Sequence, residues 1–183
     1  MADLISKIKG VDNVTYDLQD KVSIFGGTNY ALNSGDLTKW AKESGITVAW
    51  DSTKNMYKIT DSAHSSSRWG IYQNITVKPN TTYTCSMEGL INDRPAYLAV
   101  GDGTSWPANR CTYTTTKQKL SYTWTTGTDI TEARIYITFS PDATNQYFWA
   151  LQPKLEKGTK PTEWTPAPQD LVTYSSETLE FFQ

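Results

Sequence analysis

Short stretches in which hydrophobic and polar residues alternate dominate the chain from residue 29 onward. In 82–88 the odd-numbered positions are apolar and the even-numbered ones are polar, and 134–139 follows the same rule. A period of two is typical of a β-strand with one face on a core, because successive side chains point to opposite sides. The inward residues predicted from these stretches and from 120–124 are Tyr83, Cys85, Met87, Leu120, Tyr122, Trp124, Ile135, Ile137 and Phe139.

The last strong strand, residues 147–155, is rich in aromatic and aliphatic side chains. Simple alternation predicts that Trp149 is a core residue, as Trp124 is. The two predicted faces are Trp149, Leu151 and Leu155 on the inside and Phe148, Ala150 and Gln152 on the other side.

Turn-forming residues separate these strands at fairly regular intervals. Proline, glycine, asparagine and aspartate cluster at 78–80, 92–95, 101–103, 126–128 and 140–142. Helical periodicity is almost absent, apart from one helical turn expected at 37–42. Many short strands with turns between them predict an all-β fold, an antiparallel β-sandwich.

Residues 1–28 differ from the rest of the chain. Their apolar positions follow a loose helical spacing without a capping signal, and Gly26-Gly27 ends the stretch. We predict an N-terminal tether or the end of a stalk, with a frayed terminal arm as the alternative. Residues 29–168 then form the globular module, and 169–183 form a C-terminal tail or linker.

Length and charge narrow the classes of function. A chain of 183 residues is long enough for one full-sized domain. Its formal net charge of -2 supplies no basic field for a phosphate backbone, so we exclude nucleic acid as a partner. A mean hydropathy of -0.53, without an apolar run of about 18 residues, predicts a soluble protein with no membrane partner. Cys85 and Cys111 either pair or stay free.

The residues needed for common catalytic sites are scarce. His64, in a serine-rich loop, is the only histidine, which excludes a two-histidine metal site. No Gly-x-Ser-x-Gly or His-Glu-x-x-His motif is present. Hydrolysis of a glycoside needs only two carboxylates, but acids in predicted turns are common in any protein. The loop acids are Asp93, Asp102, Asp129 and Glu132. We therefore predict that the chain is not an enzyme and needs no cofactor.

The C-terminal part of the module carries a resemblance to known proteins. Residues 148–168 read FWALQPKLEKGTKPTEWTPAP. This stretch resembles the close of a domain that recurs in tail, fibre and baseplate proteins of phages infecting Gram-positive bacteria. Residues 29–34, NYALNS, followed by Trp40, are similar to the opening strand of that domain. Residues 72–84, YQNITVKPNTTYT, resemble jelly-roll carbohydrate-binding modules of families four and nine.

The resemblance implies both a fold and a role. The fold would be a jelly-roll sandwich, acting as a non-catalytic carbohydrate-binding module in a phage tail or baseplate. Its partners would be the cell-wall polysaccharide of a Gram-positive host and other virion tail proteins, and it would work on the virion at the outside of the host cell. Such modules often hold a structural calcium ion. Calcium stays an open alternative here, because no continuous acidic ligand loop is present.

Candidate binding residues are the rings that alternation leaves outside the core. Tyr72, Tyr97 and Tyr136 alternate with aliphatic residues, whereas Trp69 and Trp106 lie in predicted loops. Sugars have flat C–H faces that stack on rings and hydroxyls that bind polar side chains. Trp164 is expected to pack against the sandwich instead. The predicted carbohydrate-binding residues are Trp69, Tyr72, Tyr97, Trp106, Tyr136, Arg68, Asn92, Asp93, Arg94 and Arg134.

Two other functions are compatible with the same fold. The domain could serve as a structural spacer or docking piece of the virion tail that meets another protein and binds no glycan. A glycan hydrolase is a third alternative. A groove lined by rings and polar groups favours sugar, a flat apolar patch favours protein, and a close pair of carboxylates favours hydrolysis.

Overall fold

The structure is a computed structural model that describes residues 7–9, 15–17, 27–62, 70–93, 95–101, 110–139 and 146–171, with only the backbone for 7–9, 15–17 and 146. The strands, in chain order, are β1 (Lys7–Lys9), β2 (Thr15–Asp17), β3 (Ala41–Lys42), β4 (Ile46–Asp51), β5 (Met56–Asp61), β6 (Gly70–Thr76), β7 (Thr82–Ile91), β8 (Ala96–Gly101), β9 (Arg110–Thr112), β10 (Gln118–Thr125), β11 (Glu132–Phe139) and β12 (Gln146–Lys157).

Two five-stranded sheets form the body of the domain. Sheet I has the strand order β10-β7-β12-β5-β4, and sheet II has the order β3-β6-β11-β8-β9. Neighbouring strands in both sheets run antiparallel. Met87 and Phe148 of sheet I share one hydrophobic core with Leu98 and Ile135 of sheet II. The predicted all-β antiparallel sandwich is confirmed.

The predicted inward faces of β7, β10 and β11 are also confirmed. Tyr83 and Met87 are buried in the core, and so are Ile135 and Ile137. On β10 the inward residues pair with inward residues of β7, so that Leu120 faces Met87 and packs against the core. The alternation was a reliable guide on these strands because each keeps a regular register along its length.

The prediction for β12 was wrong in its first half. Phe148 and Ala150 are fully buried in the core, whereas Trp149 is half-buried on the outer face. The cause is an irregularity between Leu151 and Lys154, where β12 advances three residues while β7 advances two, from Glu88 to Ser86. One extra residue reverses the faces of a strand. Counting backward from the buried Leu155 therefore places Trp149 on the wrong side.

The opening segment of the module, residues 29–34, contacts its closing segment, residues 155–165. The buried side chain of Asn29 accepts a hydrogen bond from the Leu155 backbone N–H (3.2 Å) and donates to the Thr165 carbonyl (2.9 Å). The indole N–H of Trp164 donates to the Ser34 hydroxyl over 3.0 Å. Trp164 thus packs against the domain, as the sequence predicted, and the opening segment is tied to the closing one.

A buried ion pair joins the same segments. Lys154 and Glu156 are two positions apart on β12 and lie on the same side of the strand. Both side chains are 1% exposed, and Lys154 Nζ lies 3.4 Å from Glu156 Oε2. The Lys154 ammonium donates to the Thr162 hydroxyl (2.6 Å), and the Thr162 backbone N–H donates to Glu156 Oε1 (2.7 Å). Burial lowers the pKa of Lys154, against the opposing effect of Glu156. We call Lys154, Glu156 and Thr162 the latch.

Short local features complete the fold. A 3-10 helix at Leu37–Lys39 lies within the helical turn predicted for 37–42, and Asp36 caps it by accepting the Thr38 N–H.

The loose helical spacing of the N-terminal stretch was misleading where the structure describes it, because β1 and β2 pair as antiparallel strands. No helix in the described ranges is long and apolar enough to cross a membrane. Cys85 and Cys111 are free, buried thiols.

Candidate functional site

The outer face of sheet II collects most of the predicted residues that the structure describes. Ile135 and Ile137 point into the core, so the alternate residues of β11, Arg134 and Tyr136, point outward. In the register, Tyr136 lies directly opposite Tyr72 of β6. Three predicted residues therefore meet on one face, because antiparallel partners project to the same side of a sheet.

Tyr72 and Tyr136 form an aromatic pair on this face. Both rings are half-buried, with centroids 6.4 Å apart and an interplanar angle of 40°. A cross-strand aromatic pair of this kind stabilises a sheet by roughly 0.2–1 kcal/mol. Each ring keeps a partly exposed surface, so the pair presents a small aromatic platform.

Arg134 is held beside both rings. Its Nε–H donates to Asn74 Oδ1 over 2.6 Å, and its guanidinium carbon lies 4.6 Å from the Tyr72 centroid and 5.7 Å from the Tyr136 centroid. Stacking and the hydrogen bond fix the plane of the guanidinium, a group with five N–H donors in all. Rings, a cation and an amide are thus combined within one patch, which we call the tyrosine face (Tyr72, Asn74, Arg134 and Tyr136).

Tyr97 lies on the outer side but is not an open platform, contrary to the prediction. Its register partner on β11 is Thr138, which places the ring on the side of Tyr136. The side chain is nevertheless only 8% exposed, and the Arg110 guanidinium lies 4.2 Å from its centroid. Neighbouring Ala99 on this side is fully buried as well. The accessible part of the outer face is therefore the half formed by β6 and β11.

Asn92 is not part of this face. Its side-chain oxygen accepts the Tyr147 backbone N–H (2.9 Å), and its own N–H donates to the Tyr147 carbonyl (3.2 Å). Both hydrogen bonds connect the end of β7 to β12 in sheet I, so the role of Asn92 is to hold the strand end. Asp93 follows it as an exposed residue between β7 and β8.

The other predicted residues, Trp69, Trp106, Arg68 and Arg94, lie outside the described residues. Asn74 lies on the tyrosine face, where it accepts the hydrogen bond from Arg134, but it was not among the residues predicted from the sequence. The signal was available, because Asn74 follows Tyr72 by two positions and so shares its face.

A groove adjoins the tyrosine face at one end. Thr76 continues the outward row of β6 from Tyr72 and Asn74, and it also lines a groove of about 590 Å³. Tyr30 and two lysines, Lys78 and Lys157, contribute to the same wall. An elongated ligand lying along β6 would therefore pass from the aromatic pair toward a polar, cationic end.

Metal and catalytic sites have little support in the described ranges. No group of three or more histidine, cysteine, aspartate or glutamate side chains there is placed to hold a metal ion. Of the acids considered from the sequence, Glu132 pairs with Thr76 at the start of β11, and Asp129 accepts a hydrogen bond from Thr128 in a turn. The tyrosine face offers stacking and hydrogen bonds, which are the interactions of binding.

Comparisons with known proteins give the fold. No protein-family model and no curated protein sequence matches the chain. Among solved structures, the CBM22-1 xylan-binding domain from Paenibacillus barcinonensis Xyn10C has a TM-score of 0.53 at 15% identity, covering 73% of this chain and 97% of that one.

Two further structures agree. A family 61 carbohydrate-binding module in complex with β-1,4-galactotriose has a TM-score of 0.52 at 12% identity, covering 71% of this chain and 99% of that chain. A family 16 carbohydrate-binding module has a TM-score of 0.51 at 18% identity, covering 69% of this chain and 99% of that chain. At these identities the likeness concerns the fold, and it confirms the predicted jelly roll.

Proposed function

We propose that this domain binds a saccharide without catalysis, through the tyrosine face of sheet II. The observation that carries the proposal is the meeting of Tyr72, Tyr136 and Arg134 on one accessible face. Partly exposed rings supply stacking surfaces for the C–H faces of a sugar, and the fixed guanidinium and amide supply hydrogen bonds to its hydroxyls. The fold shared with carbohydrate-binding modules supports the same conclusion.

We further propose the biological setting implied by the C-terminal motif. The domain would belong to a tail or baseplate protein of a phage, and its ligand would be the cell-wall polysaccharide of a Gram-positive host, bound during recognition and adsorption. Other virion tail proteins would be its neighbours. A shallow face gives modest affinity for one repeat of a polymer, and several copies on one particle would raise the avidity.

The test is binding of purified wall polysaccharide, measured by isothermal titration calorimetry on the parent chain and on Tyr72→Ala, Tyr136→Ala and Arg134→Ala. A ring that stacks on a ligand contributes about 1–3 kcal/mol by analogy with base stacking. We therefore expect at least about ten-fold weaker binding for the ring variants, with little change in melting temperature.

The matched control is Trp50→Ala. Trp50 is a large ring, 50% exposed, on the edge strand β4 of sheet I. Removing it changes the exposed aromatic area of the domain without touching the tyrosine face, so binding should be kept. Equal affinity of all three face variants and the parent would refute the tyrosine face as the site. A parent chain that binds no glycan would favour the spacer or docking function.

A further inference from the structure

A second aromatic cluster lies on the opposite outer surface of the sandwich. Tyr147 and Trp149 are two residues apart on β12 and project from sheet I, with centroids 6.1 Å apart. Their outward direction follows from the buried Phe148 and Ala150 beside them. Both rings are half-buried, so part of each remains accessible.

The Trp149 ring is held in a fixed orientation by Asp51. Its indole N–H donates to Asp51 Oδ2 over 2.8 Å, while the other carboxylate oxygen accepts the Thr53 backbone N–H (2.9 Å) and hydroxyl (2.6 Å). The hydrogen bonds from Thr53 and from Trp149 lower the pKa of Asp51 to about 2. The carboxylate is therefore charged at neutral pH and anchors one edge of the indole, which keeps the accessible ring surface in place.

Two lysines surround these rings. Lys58 Nζ lies 3.7 Å from the Tyr147 centroid and 5.8 Å from the Trp149 centroid, and Lys54 Nζ lies 5.8 Å from the Trp149 centroid. Neither ammonium is in an ion pair with a described residue. The patch therefore carries two positive charges and one negative charge, and that negative charge is already engaged by Trp149 and Thr53.

We propose that Asp51, Lys54, Lys58, Tyr147 and Trp149 form a second binding surface, specific for an anionic saccharide. The accessible indole would stack on a sugar ring, and the two ammonium groups would attract a carboxylate or phosphate carried by the chain. The excess of positive charge favours an anionic sugar over a neutral one. This proposal does not depend on binding at the tyrosine face, because the two surfaces lie on different sheets.

The surface also covers buried apolar residues, so the test must separate a role in binding from a role in packing. Met56 and Leu90 project to the same outer side as Trp149 and are 0% and 7% exposed. Removal of the indole can therefore disturb packing as well as binding. The lysines avoid this difficulty, because Lys54 is exposed and Lys58 is half-exposed.

The experiment uses the full chain carrying Tyr72→Ala and Tyr136→Ala, so that the tyrosine face is disabled. Calorimetric titrations are run with three probes: an oligogalacturonate, a phosphomannan oligosaccharide and a neutral cello-oligosaccharide. We expect binding of at least one anionic probe, at least ten-fold weaker after Lys54→Ala/Lys58→Ala, and weaker again at high salt because exposed charges are screened. The two anionic probes distinguish a carboxylate ligand from a phosphate ligand.

The control removes the same charge from residues at the start of β10, at the other edge of sheet I. Lys117→Ala/Lys119→Ala eliminates two lysines that pair with Glu88 and Glu163, and anionic binding should be unchanged. The proposal fails if the Lys54/Lys58 variant binds as well as its parent, or if neither anionic probe binds. It also fails if an anionic probe binds the unmodified chain but not the chain that carries Tyr72→Ala and Tyr136→Ala. None of these outcomes bears on wall polysaccharide bound by the tyrosine face, which is measured with other variants.

Discussion

Adjacent residues of β12 have opposite environments, and this difference can be measured. Phe148 is fully buried between Tyr113 and Phe139, with centroids 5.1 and 6.4 Å away. Trp149 is larger but only half-buried. At the scale of single residues, burial and not size decides how much a side chain stabilises the fold.

We expect Phe148→Ala to lower the free energy of unfolding by about 3–5 kcal/mol, the usual cost of truncating a buried ring. Trp149→Ala should cost less, since part of its surface stays in contact with water in the folded protein. Urea unfolding of both variants measures the difference. A Trp149→Ala variant less stable than Phe148→Ala would show that the faces of β12 are assigned wrongly.

The two thiols should be unreactive in the folded protein. Burial raises the pKa of Cys111 to about 11 and raises that of Cys85 as well. With a pKa of about 11, roughly one thiol in a thousand is ionised at pH 8, and the thiolate is the reactive form. We expect no labelling by an aromatic disulfide reagent at pH 8 until denaturant unfolds the chain.

The sign of the linked pH effect follows from the same shift. Because the pKa of Cys111 is raised in the folded state, its protonated thiol contributes to the stability of the fold. That contribution is complete at pH values below the unfolded pKa of about 8.5 and is lost as the pH rises toward about 11. Cys111→Ala should therefore show a shallower loss of melting temperature over that interval. Rapid labelling of the native parent would mean that the thiols are accessible.

At the scale of elements, the latch gives a structural role to Lys154, Glu156 and Thr162 of the segment 148–168. Lys154 and Glu156 project from the same side of β12, and Thr162 bridges them from the segment that follows. The amide N–H of Gly27 donates to the Thr162 hydroxyl, and a side chain at position 27 would collide with the Glu156 carboxylate. The motif therefore fastens the first and last parts of the domain together, away from the tyrosine face.

We expect Glu156→Gln to destabilise the domain by about 3–5 kcal/mol, because it leaves the Lys154 ammonium buried without its partner. The double variant Lys154→Met/Glu156→Leu removes both charges and should recover most of that loss. A double-mutant cycle followed by urea unfolding gives the coupling.

The control for the latch is the exposed pair of Lys119 and Glu163, whose side chains are 34% and 93% exposed. Lys119→Ala should cost less than about 1 kcal/mol, since solvent screens such pairs. If Glu156→Gln were as mild as Lys119→Ala, the latch would have no special role in stability.

At the scale of the whole molecule, the core can be followed along the residues that the structure describes. Its first residue in the described ranges is Ala31, and its last is Ala167. The division into an N-terminal tether, a module at 29–168 and a C-terminal tail stays a prediction. It implies that the module unfolds as one cooperative unit.

We expect a chain that begins at Gly27 to melt within about 2 °C of the full-length protein, because about 1 kcal/mol corresponds to a few degrees in a domain of this size. Differential scanning calorimetry of the two chains makes the comparison. The cut is placed before Gly27 so that its hydrogen bond to Thr162 is kept. A large drop in melting temperature would show that residues 1–26 stabilise the sandwich.

The sequence by itself determined the class of fold and much of the face that carries the candidate site. Period-two alternation places Tyr72, Arg134 and Tyr136 outward, because the geometry of a strand is local and needs no knowledge of the neighbours. The same reasoning identified the inward rows of β7, β10 and β11.

Only the tertiary structure decided which outward residues meet and which are accessible. The extra residue in β12 is visible only against the register of β7, and it moved Trp149 from the predicted core to the surface. Tyr97 is outward yet covered, and Asn92 is engaged by the backbone of Tyr147. Pairing across a sheet and burial by distant segments depend on residues far apart in the chain, so alternation within one strand carries no information about them.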